Sequence, residues 1–406
     1  MAVRWKRVRG GITAPAGFLA TAVSCGIKES GGKDLVLFTS AVPAAWGAML
    51  TTSRAPAAPV QLTKALLRRR LPLQAVLINS GNANAATGQA GLRAARELVG
   101  DTAGLLGLPS ASVVMASTGI IGQQLPVARM KKALPGLVSA LAGRGGKAAA
   151  EGIMTTDASP KEEALELGLG GKKKVRIGGM AKGAGMIHPD MATMLAFLST
   201  DAEFTPGRLR GCLREAVEET FNRISVDGDR STNDTVLVMA NGASGKKIAP
   251  GSRGERIFQE GLGEVCRRLA EKIVLDGEGA TKLVEVCVVG AKSGADAEKA
   301  ARAVANSSLV KTAWFGQDLN WGRIVAALGY SGARLSLERT SILVNGAPAV
   351  TAGIAESPVK LARAQREMRR KRISLTIDLG LGKGSARLLT CDLSLEYVKE
   401  NSQYTT

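Results

Sequence analysis

The chain has 406 residues, 45% of them hydrophobic and 22% charged, with 54 Lys+Arg against 35 Asp+Glu and a net charge of +19. That length and composition suit a globular protein of two domains or two large lobes around a sizeable core. A single histidine, His188, excludes zinc sites of two or three histidines. Five widely spaced cysteines without a C-x-x-C pair (Cys25, Cys212, Cys266, Cys287, Cys391) exclude a disulfide framework and a cysteine metal cluster, and read as buried thiols of a reducing, cytoplasmic compartment.

At the start of the chain, Arg4, Lys6, Arg7 and Arg9 precede a moderately apolar stretch at 10–25. Pro15, with Gly10, Gly11 and Gly17, breaks any helical apolar core there, so the region reads as a first strand and loop, not a targeting peptide. No apolar run approaches 18 residues, which leaves no membrane-spanning helix. Strands are expected at 35–39, 75–79, 112–115, 175–177, 194–198, 235–239, 283–289, 342–344, 373–377 and 387–391. Helices are expected at 91–106, 126–141, 255–274 and 295–305, and most clearly from Thr205 as N-cap with Pro206 at the first helical position. In that helix Leu209, Cys212, Leu213, Ala216, Val217 and Phe221 keep the spacing of one buried face. Many short strands interleaved with helices give a mixed α/β class of layered α+β type. The glycine- and lysine-rich stretch 168–174 reads as a surface loop. Aromatics are only 3% against 49 glycines, so small residues must carry much of the packing.

The positive charge is uneven, with 24 Lys+Arg against 10 Asp+Glu in residues 1–192 and 30 against 25 in residues 193–406. Its clusters are short (Arg68-Arg69-Arg70, Lys172-Lys173-Lys174, Arg369-Arg370-Lys371-Arg372) and none is interleaved with aromatics that could stack bases. No nucleic-acid partner is expected. A basic surface that attracts carboxylate metabolites is the reading the charge supports.

The most informative segment is KGAGMIHPDMATML at 182–195. It sets a small residue, Ala192, directly before Thr193, after a glycine-bearing approach and ahead of an apolar run. This suits a self-cleaving amide whose new N-terminal threonine becomes a nucleophile. A threonine hydroxyl needs a base, and the freed α-amine, with an unperturbed pKa of about 7.7–8.0, can serve as its own. His188, five residues earlier, reads as structural.

Further motifs follow in order: NSGNANA at 79–85, STGIIG at 117–122, IMTTD at 153–157, DGDRSTNDT at 227–235, DGEGATK at 276–282, NWGRI at 320–324 and a terminal NSQYTT. Singly each is weak. Collinear over essentially the whole chain, they resemble the ornithine acetyltransferase family, the bifunctional glutamate N-acetyltransferases of arginine biosynthesis. The resemblance implies an α/β self-processing, N-terminal-threonine acetyltransferase fold similar in layout to N-terminal-nucleophile hydrolases. It implies self-cleavage between Ala192 and Thr193, giving an α chain of 1–192 and a β chain of 193–406 that stay associated, as an α2β2 assembly. The implied reaction moves acetyl from N-acetylornithine to glutamate through an acetyl-threonine intermediate. No cofactor is implied, although some members accept acetyl-CoA as a co-substrate, and which kind this chain is stays open.

By the same resemblance Thr193 is the nucleophile, and Thr118 with Gly119 forms the oxyanion hole. Lys182, Thr156, Glu278, Asn401 and Thr406 join Thr193 in binding substrate, with Glu278 receiving the ornithine ammonium and the C-terminal residues folding back to the site. Thr155, beside Thr156, is an alternative contact. Arg230, Gln317, Leu319 and Asp190 depart from the family's usual residues, and bear on substrate preference and processing rate. Two rival readings remain at this point: an autoprocessed amidohydrolase or aminopeptidase, in which water replaces glutamate, and a non-enzymatic basic binding protein.

Overall fold

A computed structural model describes residues 5–169, 173–188 and 194–403. Ala192, Thr193 and Thr406, three of the expected site residues, and Asp190 lie outside the described residues. The chain divides into two compact units, one running to Asn222 and resuming over Asp229–Ile273, the other comprising Arg223–Gly228 and the chain from Val274.

The first unit holds strands β1 (Trp5–Arg7), β2 (Phe18–Val23), β3 (Leu35–Leu50), β4 (Leu73–Asn82), β5 (Val113–Ile120), β6 (Lys161–Gly168), β7 (Lys174–Lys182), β8 (Leu195–Thr200) and β9 (Thr235–Ala240). Its helices are α1 (Ala58–Arg69), α2 (Gly88–Leu106), α3 (Val127–Ser139), α4 (Gly146–Gly152), α5 (Pro206–Glu218) and α6 (Arg253–Leu275). The strands form one sheet in the order β1-β6-β7-β8-β9-β3-β4-β5, with β2 paired to β3 off that path. Strand β3 is the joint of this sheet. Its first half pairs with β2 and β4, the register slips between Thr39 and Ala44, and its second half pairs with β9. Pro43 lies within the slip, where no ladder donor is needed, and the Ser40 hydroxyl donates to the Val42 carbonyl at 2.7 Å across it.

The apolar runs of β3, β4 and β5 are continuous because both faces of the sheet are covered. Val36, Phe38, Val76, Ile78, Val114 and Ala116 share one core with residues of α4, β8 and β9. Leu35, Leu37, Ala75, Leu77, Val113 and Met115 share another with α2 and α3. The alternation is the period-two geometry of strands.

Strands β7 and β8 are antiparallel neighbours whose ladder ends at Lys182 opposite Leu195. Residues 183–194, which contain the expected cleavage bond, therefore connect adjacent strands within one unit. The boundary between compact units falls elsewhere, after Asn222 and Ile273. Six residue pairs join β7 to β8 and six more join β3 to β9. A cut in the connection would leave both pieces locked into the same sheet by main-chain hydrogen bonds and a shared core.

The second unit holds β10 (Leu283–Ala291), β11 (Ser341–Val344), β12 (Ala347–Thr351), β13 (Ile354–Ala355), β14 (Arg372–Asp378) and β15 (Gly384–Cys391), in the order β13-β12-β11-β14-β10-β15. Helices α7 (Gly294–Asn306), α8 (Ser308–Phe315), α9 (Trp321–Tyr330), α10 (Pro358–Glu367) and α11 (Leu395–Gln403) complete it. The β11–β12 hairpin turns at Asn345 and Gly346, with φ of 47° and 80°, the positive pair that a tight twisted hairpin requires. Helix α7 lays Ala297, Ala300, Ala301, Val304 and Ala305 on β10 and β15, so alanines replace aromatics in the close helix–sheet contact. Its N-cap Ser293 accepts the Asp296 amide at 3.1 Å.

Helix α5 buries Leu209, Cys212, Leu213, Ala216 and Val217, the stripe expected from sequence. Thr205 is its N-cap residue, but the hydroxyl makes no capping bond, and the helix ends at Glu218, with Phe221 in a separate 3-10 turn. Of the cysteines, Cys212, Cys266 and Cys391 are buried but Cys25 and Cys287 only half-buried. Burial, with the neighbouring Asp34, pushes the Cys25 thiol up to about 12, and burial pushes that of Cys212 to about 11, so neither is a nucleophile at neutral pH. Among the described residues no helix is long and apolar enough to cross a membrane.

Candidate active site

Thr118 and Gly119 lie at the end of β5, on the edge of the sheet beside β4. The parallel register slips at Gly81 and Asn82, opposite them. Bulges of this kind re-aim backbone groups, and they gather next to active sites. Gly119 has φ 128°, and a Cβ there would lie 2.3 Å from the Gly81 carbonyl carbon and 2.5 Å from the Asn82 nitrogen. Only glycine fits.

The NSGNANA motif holds this edge in shape. Asn79 accepts the Ser117 hydroxyl at 2.6 Å and donates to the Asn82 carbonyl at 2.8 Å. Asn82 accepts the Asn84 amide at 2.8 Å and donates to the Gln123 and Gln124 carbonyls, both at 3.2 Å. Asn84, at φ 48°, donates to the Gly91 carbonyl at 3.1 Å. All three asparagines are buried, and their amide groups tie the end of β4 to the loop at Gln123–Gln124 and to the start of α2.

Lys182, the last residue of β7, comes to the same place. Its Nζ donates to the Thr118 Oγ1 at 3.0 Å, and both side chains are buried, at 5% and 8% exposure. Two motifs 64 residues apart thus meet in a buried lysine–threonine pair. Asp157, from the IMTTD motif, lies close by. It accepts Lys161 Nζ at 2.6 Å and the Gly183 amide at 2.7 Å on one oxygen, and the Thr155 amide at 2.9 Å on the other. Burial raises the Asp157 carboxyl, but the charges of Lys182 and Lys161 and the Gly183 amide together hold it below the usual aspartate value. Thr155 and Thr156 are both half-buried beside it. The carboxylate therefore anchors three stretches at once: the 155–157 turn, the start of β6 and the chain leaving β7. Beyond Gly183 the chain passes through Met186 at φ 58°, an uncommon setting for a long side chain, toward residues 189–193. His188 is half-buried.

On the far side of that segment, Met194 precedes β8 and is fixed at both backbone groups. Its amide donates to Asp234 Oδ1 at 2.9 Å and its carbonyl accepts the Thr235 amide at 3.1 Å. Burial drives the Asp234 carboxyl well above the ordinary aspartate value, and the Met194 amide and Lys182 charge only partly oppose it.

In the second unit, Glu278 and Asn401 are brought together. Asn401 Nδ2 donates to Glu278 Oε2 at 2.8 Å and to the Tyr397 carbonyl at 3.0 Å. Asn401 belongs to α11, so this part of the expected C-terminal tail is helical. The loop carrying Glu278 is tied down by Asp392, which accepts the amides of Thr281 at 2.8 Å and Lys282 at 2.9 Å and the Thr281 hydroxyl. Gly279, at φ 64°, lets α11 sit on that loop, since a Cβ would lie 2.4 Å from the Tyr397 nitrogen. Burial, then the nearby Glu278 and Glu396, raise the Glu400 carboxyl against the opposing charge of Lys399.

The structure thus groups Thr118, Gly119 and Lys182 in the first unit and Glu278 with Asn401 in the second. Sequence reading missed Asp157 and Asp234, although both stand in motifs it quoted. Their partners are distant in sequence, and only the aspartates' presence in those motifs signalled them.

The arginine biosynthesis bifunctional protein ArgJ of Symbiobacterium thermophilum is 48% identical over 402 residues, covering 98% of this chain and 99% of that one. The solved ArgJ of Bacillus halodurans is 39% identical with a TM-score of 0.50, and its whole chain is matched by 52% of this one. A solved ornithine acetyltransferase of Mycobacterium tuberculosis, in complex with ornithine, is also 39% identical, with a TM-score of 0.43, and covers 46% of this chain and 98% of its own. The profile of the ArgJ family matches residues 19–406, and with near-complete coverage by relatives of this identity the chain belongs to the ArgJ family of ornithine acetyltransferases.

Proposed function

We propose that the chain cuts itself between Ala192 and Thr193 and then transfers acetyl from N-acetylornithine to glutamate, giving ornithine and N-acetylglutamate, as a cytoplasmic enzyme of arginine biosynthesis. The observation that carries this reading is the buried contact of Lys182 with Thr118 beside Gly119. It supports a prepared cation and hydroxyl next to a backbone kink that admits only glycine, at the strand end from which the Thr193 segment departs.

In the proposed mechanism the freed α-amine of Thr193 takes the proton of its own hydroxyl, and Oγ attacks the acetyl carbonyl. The Thr118 hydroxyl and the Gly119 amide hold the oxyanion. Each such pre-aimed donor is worth about 2.7–4 kcal/mol. Lys182 orients the Thr118 hydroxyl and draws the α-carboxylate that both substrates share, with Thr156 beside it. Glu278, held by Asn401, is assigned to the ornithine ammonium, and Thr406 is kept as a further contact. The tetrahedral centre collapses as the Thr193 ammonium returns its proton to the departing amine of ornithine. The amine of glutamate then attacks the acetyl-threonine ester, its proton passing through the same α-amine to the Thr193 oxygen to regenerate the hydroxyl.

The associated pieces would be residues 1–192 and 193–406, the second being 214 of 406 residues. The 52% of this chain that accounts for the whole Bacillus halodurans chain supports a division of that size. An α2β2 assembly and acetyl-CoA as an alternative donor belong to the same proposal.

The test is mass spectrometry of the purified protein after N-acetylornithine without glutamate. An acetyl adduct on Thr193, discharged when glutamate is added, is the expected result, and Thr193→Ala should give an uncut chain without adduct. Equal acetate release with and without glutamate would instead favour hydrolysis.

A further inference from the structure

The DGDRSTNDT motif supplies neither nucleophile nor oxyanion donor in this mechanism, yet two of its adjacent residues bond the strand end that carries Thr118 and the residue that follows Thr193. Asn233 and Asp234 are buried, at 6% and 1% exposure, immediately before β9. Asn233 uses both amide hydrogens on main-chain carbonyls, Ser117 at 2.8 Å and Ala83 at 2.6 Å. The Ser117 carbonyl belongs to the peptide unit whose other end is the Thr118 amide. Asp234 Oδ1 accepts the Met194 amide at 2.9 Å, and that amide belongs to the peptide joining Thr193 to Met194. Among the described residues Asp234 Oδ2 makes no hydrogen bond.

The loop bearing these two side chains is itself fixed. The Thr51 amide donates to the Asp234 carbonyl at 3.0 Å and the Thr51 hydroxyl to the Ser231 carbonyl at 2.9 Å. The Ala57 amide donates to the Thr232 carbonyl at 2.9 Å, and the Ser231 hydroxyl accepts the Asn233 amide at 3.0 Å.

We propose that Asn233 and Asp234 are positioning residues that act as one clamp: Asn233 sets the Ser117–Thr118 peptide and Asp234 sets the Thr193–Met194 peptide, so that a two-residue span fixes the distance from nucleophile to oxyanion donors. The proposal rests on the assignment of Thr193 and Thr118 above. Both side chains are buried and bond main-chain groups, so the clamp controls rate and not affinity. The Asp234 carboxyl works as an acceptor through Oδ1, so asparagine, which keeps that oxygen, replaces it and alanine does not. Because the same peptides serve the self-cleavage and the acetyl transfer, both slow together.

The experiment compares Asn233→Ala, Asp234→Ala and Asp234→Asn with wild type, reading the cut fraction by intact mass and kcat and KM for N-acetylornithine on the cut fraction. A misplacement of about 1 Å costs about 10²-fold in rate. Asn233→Ala and Asp234→Ala should therefore cut more slowly and lose about 10²-fold in kcat at a KM within about threefold of wild type. Asp234→Asn should recover to within about fivefold. Should Asp234→Ala fail to give a cooperative unfolding transition, Asn233→Ala and Asp234→Asn decide the matter. Near-wild-type kcat in Asn233→Ala, a loss carried by KM, or Asp234→Asn impaired about 10²-fold overturns the clamp. A wild-type protein that neither cuts nor acetylates Thr193 sinks the functional reading instead, so the two failures are told apart.

Discussion

Replacing Gly119 with alanine tests the oxyanion geometry at a single atom. The added Cβ would sit 2.3 Å from the Gly81 carbonyl carbon, 2.5 Å from the Asn82 nitrogen and 2.6 Å from the Gly81 Cα, all backbone atoms that no rotamer change can move. Carbon atoms settle at about 3.5–4.0 Å, so β4 and β5 must part by at least about 1 Å. Paired strands lie about 4.7–4.9 Å apart, so such a shift breaks the local ladder. The φ of 128° adds strain for any side chain. Overpacking of this kind costs about 1–3 kcal/mol of stability. At the site the Gly119 amide moves out of line, and loss of one oxyanion donor costs about 10²–10³ in kcat. The control is Gly122→Ala in the same motif, where φ is 86° but no atom lies within 4 Å of the new methyl. It shares the backbone strain without the collision and should stay within about fivefold of wild type. Steady-state acetyl transfer and thermal unfolding on both variants separate the effects. A Gly119→Ala protein with kcat within about threefold of wild type would refute the reasoning.

Lys182→Met removes the donor to Thr118 and the charge that lowers Asp157, while Lys161 still pairs with that carboxylate. The expected result is a loss of about 10²-fold or more in kcat/KM with the fold retained, as for truncation of a buried charged partner, and a change below about threefold would remove Lys182 from the site. Glu166→Gln tests acid stability away from the chemistry. Hydrogen bonds from Lys174 and Arg176, then Lys6, draw the Glu166 carboxyl down to about 2, from an unfolded value of about 4.3. Its contribution is present above that unfolded value and fades as pH falls toward 2. Because Lys6, Lys174 and Arg176 are 65%, 59% and 47% exposed, screening limits it to about 1 kcal/mol or less. Urea unfolding should show the variant weaker at pH 7 and equal to wild type near pH 2, and a gap that persists at low pH contradicts the assignment.

The legible parts of the fold were those whose signal is local. The stripe of α5 and the apolar runs of β4 and β5 appear in the sequence because one face or both faces are buried along consecutive residues. Strand β3 was read only at 35–39, since Pro43 and Gly47 interrupt a run whose two halves serve different neighbours. Strand β6, KEEALELG, gave no strand signal, because its glutamates are answered by Arg7, Lys272, Lys174 and Arg176 from elsewhere in the chain. Nothing in the sequence shows those partners. The same holds at the site. Thr118, Gly119 and Lys182 were assigned through family resemblance, whereas Asn233 and Asp234 gain meaning only when their bonds to Ser117 and Met194 are seen.

The most direct test of the account is the intact mass of the purified wild-type protein. Two associated species, matching residues 1–192 and 193–406, are expected, with the second gaining one acetyl group on exposure to N-acetylornithine. A single uncut chain that transfers acetyl to glutamate at full rate would contradict the claim that Thr193 is freed to act as nucleophile and base.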